Sequence, residues 1–379
     1  MGKGLRSALG ILTVLVLAAA CASPRGTQGG FLDTRYTAEE LKLPDAEKED
    51  IVVCNADPRN PGAAYLVTDS REVYALTREE TTWRYAPIAR LANARPRITC
   101  ADAWPGNGSL SELYISDGRR LVMLAWTAAG WLDPQLLYES AARIPEKAAV
   151  GDVDPRTPGS EVYFSADQPR QAFWDGQAWR VALLPGPPGY VAVGDADRTV
   201  AGTELYVSRA GATDQIRYGD GWERQRIAAV GTGQPQNAIV VGDADPTKPG
   251  NEVVLNWHET NVRGRLWILS RRRAGWVSEL VFAAGEGTPW SLHHFHNLAI
   301  GDFDAAHPGQ EIVMTWSPST HNPGRISVFA KTGNRWEHHL IWQDLDEAHG
   351  IAFLTLIPQG KAVLMAVGHP RQGLLLRIR

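Results

Sequence analysis

A sixteen-residue pattern recurs along this chain and constrains its fold more than any other feature. Four close copies occupy residues 149–164 (AVGDVDPRTPGSEVYF), 192–207, 240–255 and 299–314. Weaker copies lie at 52–67 and 100–115, and a seventh unit at 351–367 keeps two apolar runs but lacks the acidic loop. Successive copies are 43 to 59 residues apart. Such spacing indicates one array of supersecondary units rather than several unrelated domains.

Each copy begins a segment that predicts four antiparallel strands. One apolar run precedes the acidic loop and another follows it, and a tight turn then joins a third strand to a strand led by Trp. Asp175-Gly176 and Gly219-Asp220-Gly221 are strong hairpin signals. Four strands in a period of about 40–50 residues are typical of a propeller blade. The sequence therefore predicts an all-β fold, a single β-propeller spanning residues 31–379.

The predicted propeller has seven four-stranded blades. Eight blades are the alternative, because the interval between Gly242 and Gly301 is the longest. The blade repeats start near residues 51, 98, 148, 191, 238, 298 and 350. The last unit ends after three strands, so an N-terminal strand at 36–43 is expected to pair with Leu374–Ile378 and close the last blade, which hides a free sheet edge.

One Trp leads the predicted fourth strand of each of the first six units. These residues are Trp83, Trp131, Trp179, Trp222, Trp276 and Trp336. A binding platform would not need one Trp in every blade, whereas a packing contact between neighbouring blades would. We therefore interpret them as packing anchors.

The first thirty residues have the composition of an export signal followed by a tether. A basic start, the apolar run Leu9–Leu17 and three alanines predict a signal peptide at 1–20. Cys21 follows the alanines directly, and this segment resembles the lipobox of bacterial lipoproteins. The resemblance implies a lipid on Cys21, a flexible tether at 21–30 and attachment to the bacterial cell envelope, at the outer membrane. Ordinary secretion with an incidental cysteine is the alternative.

The charge balance argues against one class of partner. The formal net charge is −4, and without the expected signal peptide 36 basic residues stand against 42 acidic ones. A chain with no basic excess is not expected to bind nucleic acid. The expected partners are the membrane, through the lipid anchor, and a glycan or an envelope protein.

The GDxDPxxPGxE core of the repeat resembles the FG-GAP and VCBS class of propeller repeats, and it is also similar to loops in rhamnogalacturonan lyase propellers. In that class an Asp-rich loop often holds calcium, although residues 155–158 replace the centre of the loop here and remove one carboxylate. The resemblance implies calcium in the acidic loops, and Asx-turns that accept loop N–H groups are the alternative. The calcium ligands would be Asp152, Asp154 and Glu161; Asp195, Asp197 and Glu204; Asp243, Asp245 and Glu252; and Asp302, Asp304 and Glu311.

Two cysteines remain after Cys21. Cys54 and Cys100 lie near the ends of the predicted inner strands of blades one and two, which should be neighbours. In an exported protein this placement predicts a disulfide, and the alternative is a pair of small buried apolar residues. Because no His lies nearby, a catalytic thiol finds no support.

All ten histidines lie between His258 and His369. In a four-stranded blade the entering loop and the loop between the second and third strands share a face, and seven of the ten fall on that face of blades five to seven. One interpretation is a transition-metal site with ligands His296, His349 and His293. A second is a glycan platform formed by Trp257, His258, Glu259, Arg263, Trp290, His293, Trp316 and His321. A third is a polar rim without a ligand.

Three functions are compatible with these features. The first hypothesis is an anchored propeller that binds a glycan or protein through the loop face of blades five to seven. The alternative is a metal-assisted carbohydrate lyase or dehydratase at the same face, which the resemblance to lyase propellers implies. A pure assembly scaffold is the third. No nucleophile elbow, phosphate loop or HExxH motif is present, so hydrolase and kinase functions are unsupported.

Overall fold

The structure, a computed structural model, describes residues 36–378 apart from short gaps. The gaps are 45, 47, 80–81, 142–143, 145–146, 210, 230–233, 260–262, 284–293, 305–306, 318–323, 346–347, 357–360 and 369–371. The expected signal peptide and tether, with Cys21, lie outside the described residues. No helix within the described ranges has the length and apolar character needed to cross a membrane.

The chain begins with a strand that belongs to the last sheet and then forms the first three blades. The strand is β1 (Tyr36–Lys42). Blade one contains β2 (Lys48–Cys54), β3 (Ala63–Thr68), β4 (Glu72–Glu79) and β5 (Thr82–Arg90). Blade two contains β6 (Arg97–Ala101), a short 3-10 helix (Pro105–Asn107), β7 (Glu112–Asp117), β8 (Arg120–Leu124), the two-stranded ribbon β9 (Trp126–Thr127) and β10 (Gly130–Trp131), and β11 (Gln135–Glu139). Blade three contains β12 (Ala149–Gly151), β13 (Glu161–Ser165), β14 (Pro169–Trp174) and β15 (Trp179–Leu183).

The second half repeats the same order. Blade four contains β16 (Tyr190–Gly194), β17 (Glu204–Arg209), β18 (Ala212–Tyr218) and β19 (Trp222–Ala228). Blade five contains β20 (Gln234–Gly242), β21 (Glu252–Glu259), β22 (Arg263–Arg272) and β23 (Gly275–Ala283). Blade six contains β24 (His294–Gly301), β25 (Glu311–Ser317), β26 (Gly324–Thr332) and β27 (Arg335–Leu345). The closing sheet contains β28 (Ala348–Leu356), β29 (Lys361–Gly368), β30 (Gln372–Ile378) and β1.

The sheets form a closed ring. The first strand of each blade contacts the first strand of the next, and β28 contacts β2. Each sheet pairs its strands in antiparallel order from the axis outward, and blade two skips its ribbon so that β11 pairs with β8. The expectation of a single all-β propeller is confirmed.

The expected blade count is corrected as follows. Six four-stranded blades, rather than seven or eight, are each formed by one uninterrupted stretch of chain. The remaining four-stranded sheet is composite, because β1 pairs with β30 and places Tyr36 opposite Ile378. Closure by the N-terminal strand is thus confirmed. The eight-blade alternative is wrong, since the described residues between Gly242 and Gly301 form the longer strands of blade five and no additional sheet.

The repeated glycines have two different physical roles. The glycine that ends an inner strand lets the next inner strand approach: a Cβ on Gly194 would lie 2.5 Å from Val241 Cγ1, and one on Gly242 would overlap Ile300. The glycine of the Pro-Gly dipeptide serves the turn, with a φ of 89° at Gly159.

A buried Glu-x-Tyr unit follows the loop after the inner strand in blades two, three and four. In blade three, Glu161 Oε2 accepts hydrogen bonds from the backbone N–H of Val153 (3.1 Å) and from Tyr163 Oη (2.7 Å). The Tyr ring of one blade meets a Trp ring of the next edge-on. The centroid distances are 5.7 Å for Tyr65–Trp131, 6.1 Å for Tyr114–Trp179 and 6.0 Å for Tyr206–Trp276. In these pairs the expected packing role of Trp is confirmed.

The position expected for Trp131 is wrong. It lies in β10 of the ribbon, and the outer strand of blade two is β11, which begins at Gln135. The insertion displaces the outer strand, but Trp131 still reaches Tyr65 of blade one, so the packing contact is preserved without the strand.

Candidate functional site

The acidic loops use most of their carboxylates internally. In each of the four clear loops the second Asp and the Glu are buried. Glu252 Oε2 accepts the backbone N–H groups of Ala244 and Asp245, each at 3.1 Å, and Asp245 Oδ1 accepts that of Thr247 at 3.1 Å. Burial raises the pKa of Glu252, and likewise of Glu204, to about 7. These contacts match the Asx-turn interpretation.

The first Asp of each loop is more exposed than these buried acids. Asp152, Asp195 and Asp302 are exposed and Asp243 is half-buried. Within the described ranges, no acidic loop brings three carboxylate oxygens within 4.8 Å of one another. Calcium binding in these loops therefore stays a prediction.

Cys54 and Cys100 form a disulfide. Their Cα atoms are 6.4 Å apart, and the bond joins the inner strands of blades one and two. Both cysteines are half-buried beside the aliphatic core shared by these blades. The expected cross-link is confirmed.

Two of the expected glycan-stacking residues are buried. Trp257 is 2% exposed and its Nε1 donates to Ser208 Oγ at 3.3 Å, and Trp316 is 4% exposed and donates to Ser327 Oγ at 2.9 Å. Stacking on a sugar requires an open ring face, so assigning these two residues to a glycan platform is wrong. Both side chains pack in the core between neighbouring blades.

The rest of that predicted face lies outside what the structure describes. Trp290, His293 and His321 fall in gaps of the described ranges. For five other candidates only the backbone is described: His258 and Glu259 on β21, Arg263 on β22, His296 on β24 and His349 on β28. The expected transition-metal site at His293, His296 and His349 stays a prediction.

A cavity of about 710 Å³ opens on the opposite face, where the acidic loops and the turns between third and fourth strands meet. Six cationic side chains and two carboxylates line it. The cations are Arg198, Lys248, Arg271, Arg272, Arg273 and Lys331, and the carboxylates are Asp245 and Glu279. Blades four, five and six all contribute, so the ring itself assembles this cationic cavity.

The inner part of the cationic cavity is an ion-pair network. Lys248 Nζ lies 2.7 Å from Asp245 Oδ2 and 2.8 Å from Glu279 Oε2, while Lys331 Nζ lies 2.8 Å from Glu279 Oε1. Trp336 Nε1 donates to the same Glu279 oxygen at 2.8 Å. Burial alone would raise the pKa of Glu279, but these hydrogen bonds lower it to about 2. Two lysines and two carboxylates therefore neutralise one another here.

The outer part of the cationic cavity carries uncompensated charge. Arg271 Nε pairs with Asp197 Oδ1 at 3.0 Å. Arg198, Arg272 and Arg273 are exposed, and none of them pairs with a carboxylate of the residues that the structure describes. Three guanidinium groups beside a fixed neutral network form a site that attracts an anion, because a planar guanidinium pairs with carboxylate, sulfate or phosphate through two parallel hydrogen bonds.

Sequence reasoning missed this cavity. The available signal was the run Arg271-Arg272-Arg273 at the hairpin between β22 and β23, but the net acidic charge of the chain drew attention away from cationic sites. Arg198 and Lys331 lie 73 and 58 residues from Arg271 and Arg273, respectively. Only the closed ring brings them together.

A second cavity, of about 500 Å³, lies on the propeller axis. Inner strands line it mainly with Val, Ala, Ile and Leu side chains. Among the described residues that line it, the one charged side chain is Lys147, which pairs with the fully buried Asp50 at 2.7 Å. An aliphatic channel with a compensated charge offers little to a polar ligand, so the cationic cavity is the stronger candidate site.

Known proteins resemble this chain in fold only. No protein-family model matches it, and no curated protein matches it in sequence. The β-propeller domain of Cps50 (Swd1) from Myceliophteria thermophila matches with a TM-score of 0.59 and 10% identity, covering 93% of this chain and 100% of that chain. BBS1N, solved in complex with ARL6DN, matches with a TM-score of 0.58 and 12% identity, covering 90% of this chain and 97% of that chain. The likeness shows a β-propeller fold and no function, while the FG-GAP, VCBS and lyase resemblances stay predictions.

Proposed function

We propose that this protein is a non-enzymatic binding propeller that recognises an acidic glycan through the cationic cavity of blades four to six. The observation that carries the proposal is the set of three exposed guanidinium groups, Arg198, Arg272 and Arg273, without carboxylate partners in the described ranges. These groups surround a cavity large enough for a small ligand, since such sites typically span about 300–1,000 Å³.

The lining offers two kinds of contact. Arg272 ends β22 and Arg273 begins the turn to β23, and together they would hold a carboxylate or sulfate group through paired N–H donors. Thr199, Thr247 and Asn334 line the same cavity and provide hydroxyl and amide groups, which pair with sugar hydroxyls. Charge supplies attraction and these neutral groups supply orientation, so an acidic glycan matches the lining better than a neutral one.

Binding to a defined polysaccharide tests this proposal. Titration calorimetry with oligogalacturonate, at low and at physiological salt, should give saturable binding that weakens as salt screens the arginines. Neutral dextran oligosaccharides should not bind. The Arg272→Gln/Arg273→Gln variant should lose at least tenfold in affinity, and because both side chains are exposed it should fold as the wild type does.

The matched control removes two positive charges elsewhere. Arg78 and Arg119 are exposed on blades one and two, so Arg78→Gln/Arg119→Gln changes the net charge equally without altering the cavity. Equal losses of affinity in the two double variants would show that net charge alone explains the binding, and this result would contradict the proposal. If sulfated and carboxylated oligosaccharides bound with equal affinity, the result would support the site without distinguishing which acidic group it recognises.

Envelope anchoring belongs to the same proposal. The segment 1–30 supports it through the apolar run Leu9–Leu17 and through Cys21 at the predicted cleavage site. Metabolic labelling with a radioactive fatty acid should mark the wild type and not Cys21→Ser, which should be released from the membrane fraction. An equally labelled Cys21→Ser protein would contradict anchoring at this residue.

The enzymatic alternative rests on other residues. A metal-assisted lyase or dehydratase would use His293, His296 and His349, whose side chains lie outside the described part of the chain. No observation on the described residues favours it, and it stays a prediction. Formation of unsaturated sugar products by the purified protein would establish it and displace the binding proposal.

A further inference from the structure

We infer that His307, Glu337 and His339 form a transition-metal site on the outer side of blade six. The three residues bring two imidazole nitrogens and one carboxylate oxygen within 4.8 Å of one another. His307 Nε2 lies 3.9 Å from Glu337 Oε2, and His339 Nε2 lies 3.4 Å from the same oxygen. This group is separate from the cationic cavity and from the histidines of the predicted loop face.

Strand geometry explains how the site forms. Glu337 and His339 are two residues apart on β27, so their side chains point to the same side of the strand. His338 points to the other side, where its ring stacks on Phe329 at 4.8 Å. The loop between β24 and β25 then places His307 against the strand, and the backbone N–H of His307 donates to Asp304 O at 2.9 Å. The site therefore joins a loop to an outer strand of the same blade.

A carboxylate also stands behind one of the imidazoles. Asp304 Oδ2 lies 3.2 Å from His307 Nδ1, on the far side of the ring from Glu337, and the Asp304 side chain is only 6% exposed. An anion at this position favours a hydrogen on Nδ1, which leaves the Nε2 lone pair facing Glu337 and His339. A carboxylate that orients a ligating histidine in this way is a frequent feature of protein metal sites.

The donor set selects the class of ion. Two neutral imidazoles and one carboxylate suit Zn²⁺ or a similar first-row transition ion, whereas Ca²⁺ and Mg²⁺ prefer oxygen ligands. Zinc bonds of about 2.0–2.2 Å place tetrahedral ligand atoms about 3.3 Å apart. The 3.4 Å distance already fits, and the 3.9 Å distance closes by a small rotation of Glu337, which is 43% exposed.

The exposure gradient indicates a site that an ion can enter from solvent. His307 is 13% exposed, His339 is 23% exposed and Glu337 lies at the open edge. Three protein ligands would leave one tetrahedral position for water. Because the ligands come from two segments, a bound ion would cross-link them and stabilise the folded blade.

A binding experiment on the full-length protein, purified without a histidine tag and stripped with EDTA, tests the inference. Calorimetric titration with Zn²⁺ should give one equivalent bound, and Co²⁺ should produce visible d–d absorption bands of low-symmetry nitrogen and oxygen coordination. Both signals should be lost in His307→Gln and in His339→Gln, and zinc affinity should fall at least tenfold in Glu337→Gln. Saturating zinc should also raise the Tm of the wild type by a few degrees and leave that of His307→Gln unchanged.

The other histidines provide the control. His296→Ala and His349→Ala should retain the equivalent, since they belong to the separate predicted loop face. The inference would be overturned if His296→Ala and His349→Ala lost the bound zinc ion while His307→Gln and His339→Gln retained it. Failure of the wild type to bind one equivalent of zinc, while it remains folded in EDTA, would also overturn the inference. Circular dichroism measures folding of the wild type in EDTA and reports whether each variant keeps its strands.

Discussion

Tyr206 donates its phenolic hydrogen to Glu204 Oε2 across 2.6 Å, deep inside blade four. The same oxygen accepts the backbone N–H groups of Ala196 and Asp197, each at 3.3 Å. The Tyr206 ring also meets Trp276 of blade five edge-on. One buried carboxylate thus links the acidic loop, its own strand and, through Tyr206, the neighbouring blade.

Removing the hydroxyl group tests how strongly this link matters. Tyr206→Phe should lower the free energy of unfolding by about 1–2 kcal/mol, because Glu204 loses a buried donor while the ring contact with Trp276 remains. Urea unfolding followed by Trp fluorescence measures the change. Tyr85→Phe is the control, since Tyr85 is 45% exposed and should change stability little. Equal effects of the two variants would contradict the role assigned to the link.

The raised pKa of Glu252 predicts a stability loss toward neutral pH. Burial raises this pKa from 4.5 to about 7, so between these values the folded state binds more protons than the unfolded state. Stability from this carboxyl is complete below about pH 4.5 and is lost as pH rises through about 7, on the order of 3 kcal/mol. Urea midpoints from pH 4.5 to 8 should show a smaller decline in Glu252→Gln than in the wild type. An exposed-site control, Glu139→Gln, should match the wild-type profile.

The fold could be predicted from sequence because the strands of each repeat are indicated by local sequence patterns. An apolar run, a Gly-Asp loop and a hairpin turn are local signals, and hiding the last sheet edge is a general requirement that pointed to β1. The ribbon carrying Trp131 could not be predicted in the same way. The position of Trp within the period matched the other blades, and only pairing of β11 with β8 shows that the outer strand lies elsewhere.

The candidate sites depend on contacts between residues that are far apart in the sequence, and local sequence patterns do not indicate such contacts. Trp257 and Trp316 each end a run of buried strand residues, 252–257 and 311–316, and side chains of the neighbouring blade cover each ring. His307 and His339 are 32 residues apart in sequence and meet only because a loop folds back onto an outer strand. The disulfide was predictable because the two cysteines end adjacent inner strands, a relationship that the repeat itself defines.

The histidine that contacts Ser327 predicts loss of stability in mild acid. Desolvation of the ring, then electrostatic repulsion from His339 and Arg325, lowers the pKa of His338 from 6.5 to about 4. The Ser327 hydroxyl accepts Trp316 Nε1–H and lies 2.9 Å from His338 Nε2, so it donates to a neutral ring. Because the folded-state pKa is depressed, this stability is present above about pH 6.5 and is lost as pH falls through about 4.

A glutamine at this position separates packing from titration. His338→Gln keeps an acceptor for Ser327 but cannot take up a proton, so its urea midpoint should fall less than that of the wild type between pH 6.5 and 4.5. Ser327→Ala retains the imidazole and should keep the pH dependence while losing about 1 kcal/mol at pH 7. Parallel pH profiles for the wild type and His338→Gln would show that protonation of this ring does not limit acid stability.

The disulfide between Cys54 and Cys100 should contribute strongly to global stability because it closes a loop with a sequence separation of 46. In the chain-entropy description, a cross-link of this span removes about 4 kcal/mol of conformational freedom from the unfolded state. The Cys54→Ala/Cys100→Ala variant should therefore unfold at lower urea concentration, with a loss of about 2–4 kcal/mol. Dithiothreitol should lower the wild-type midpoint to that of the double variant and leave the double variant unchanged. A reductant that exposes two free thiols in the wild type without moving its midpoint would show that the cross-link between blades one and two does not restrict the unfolded chain.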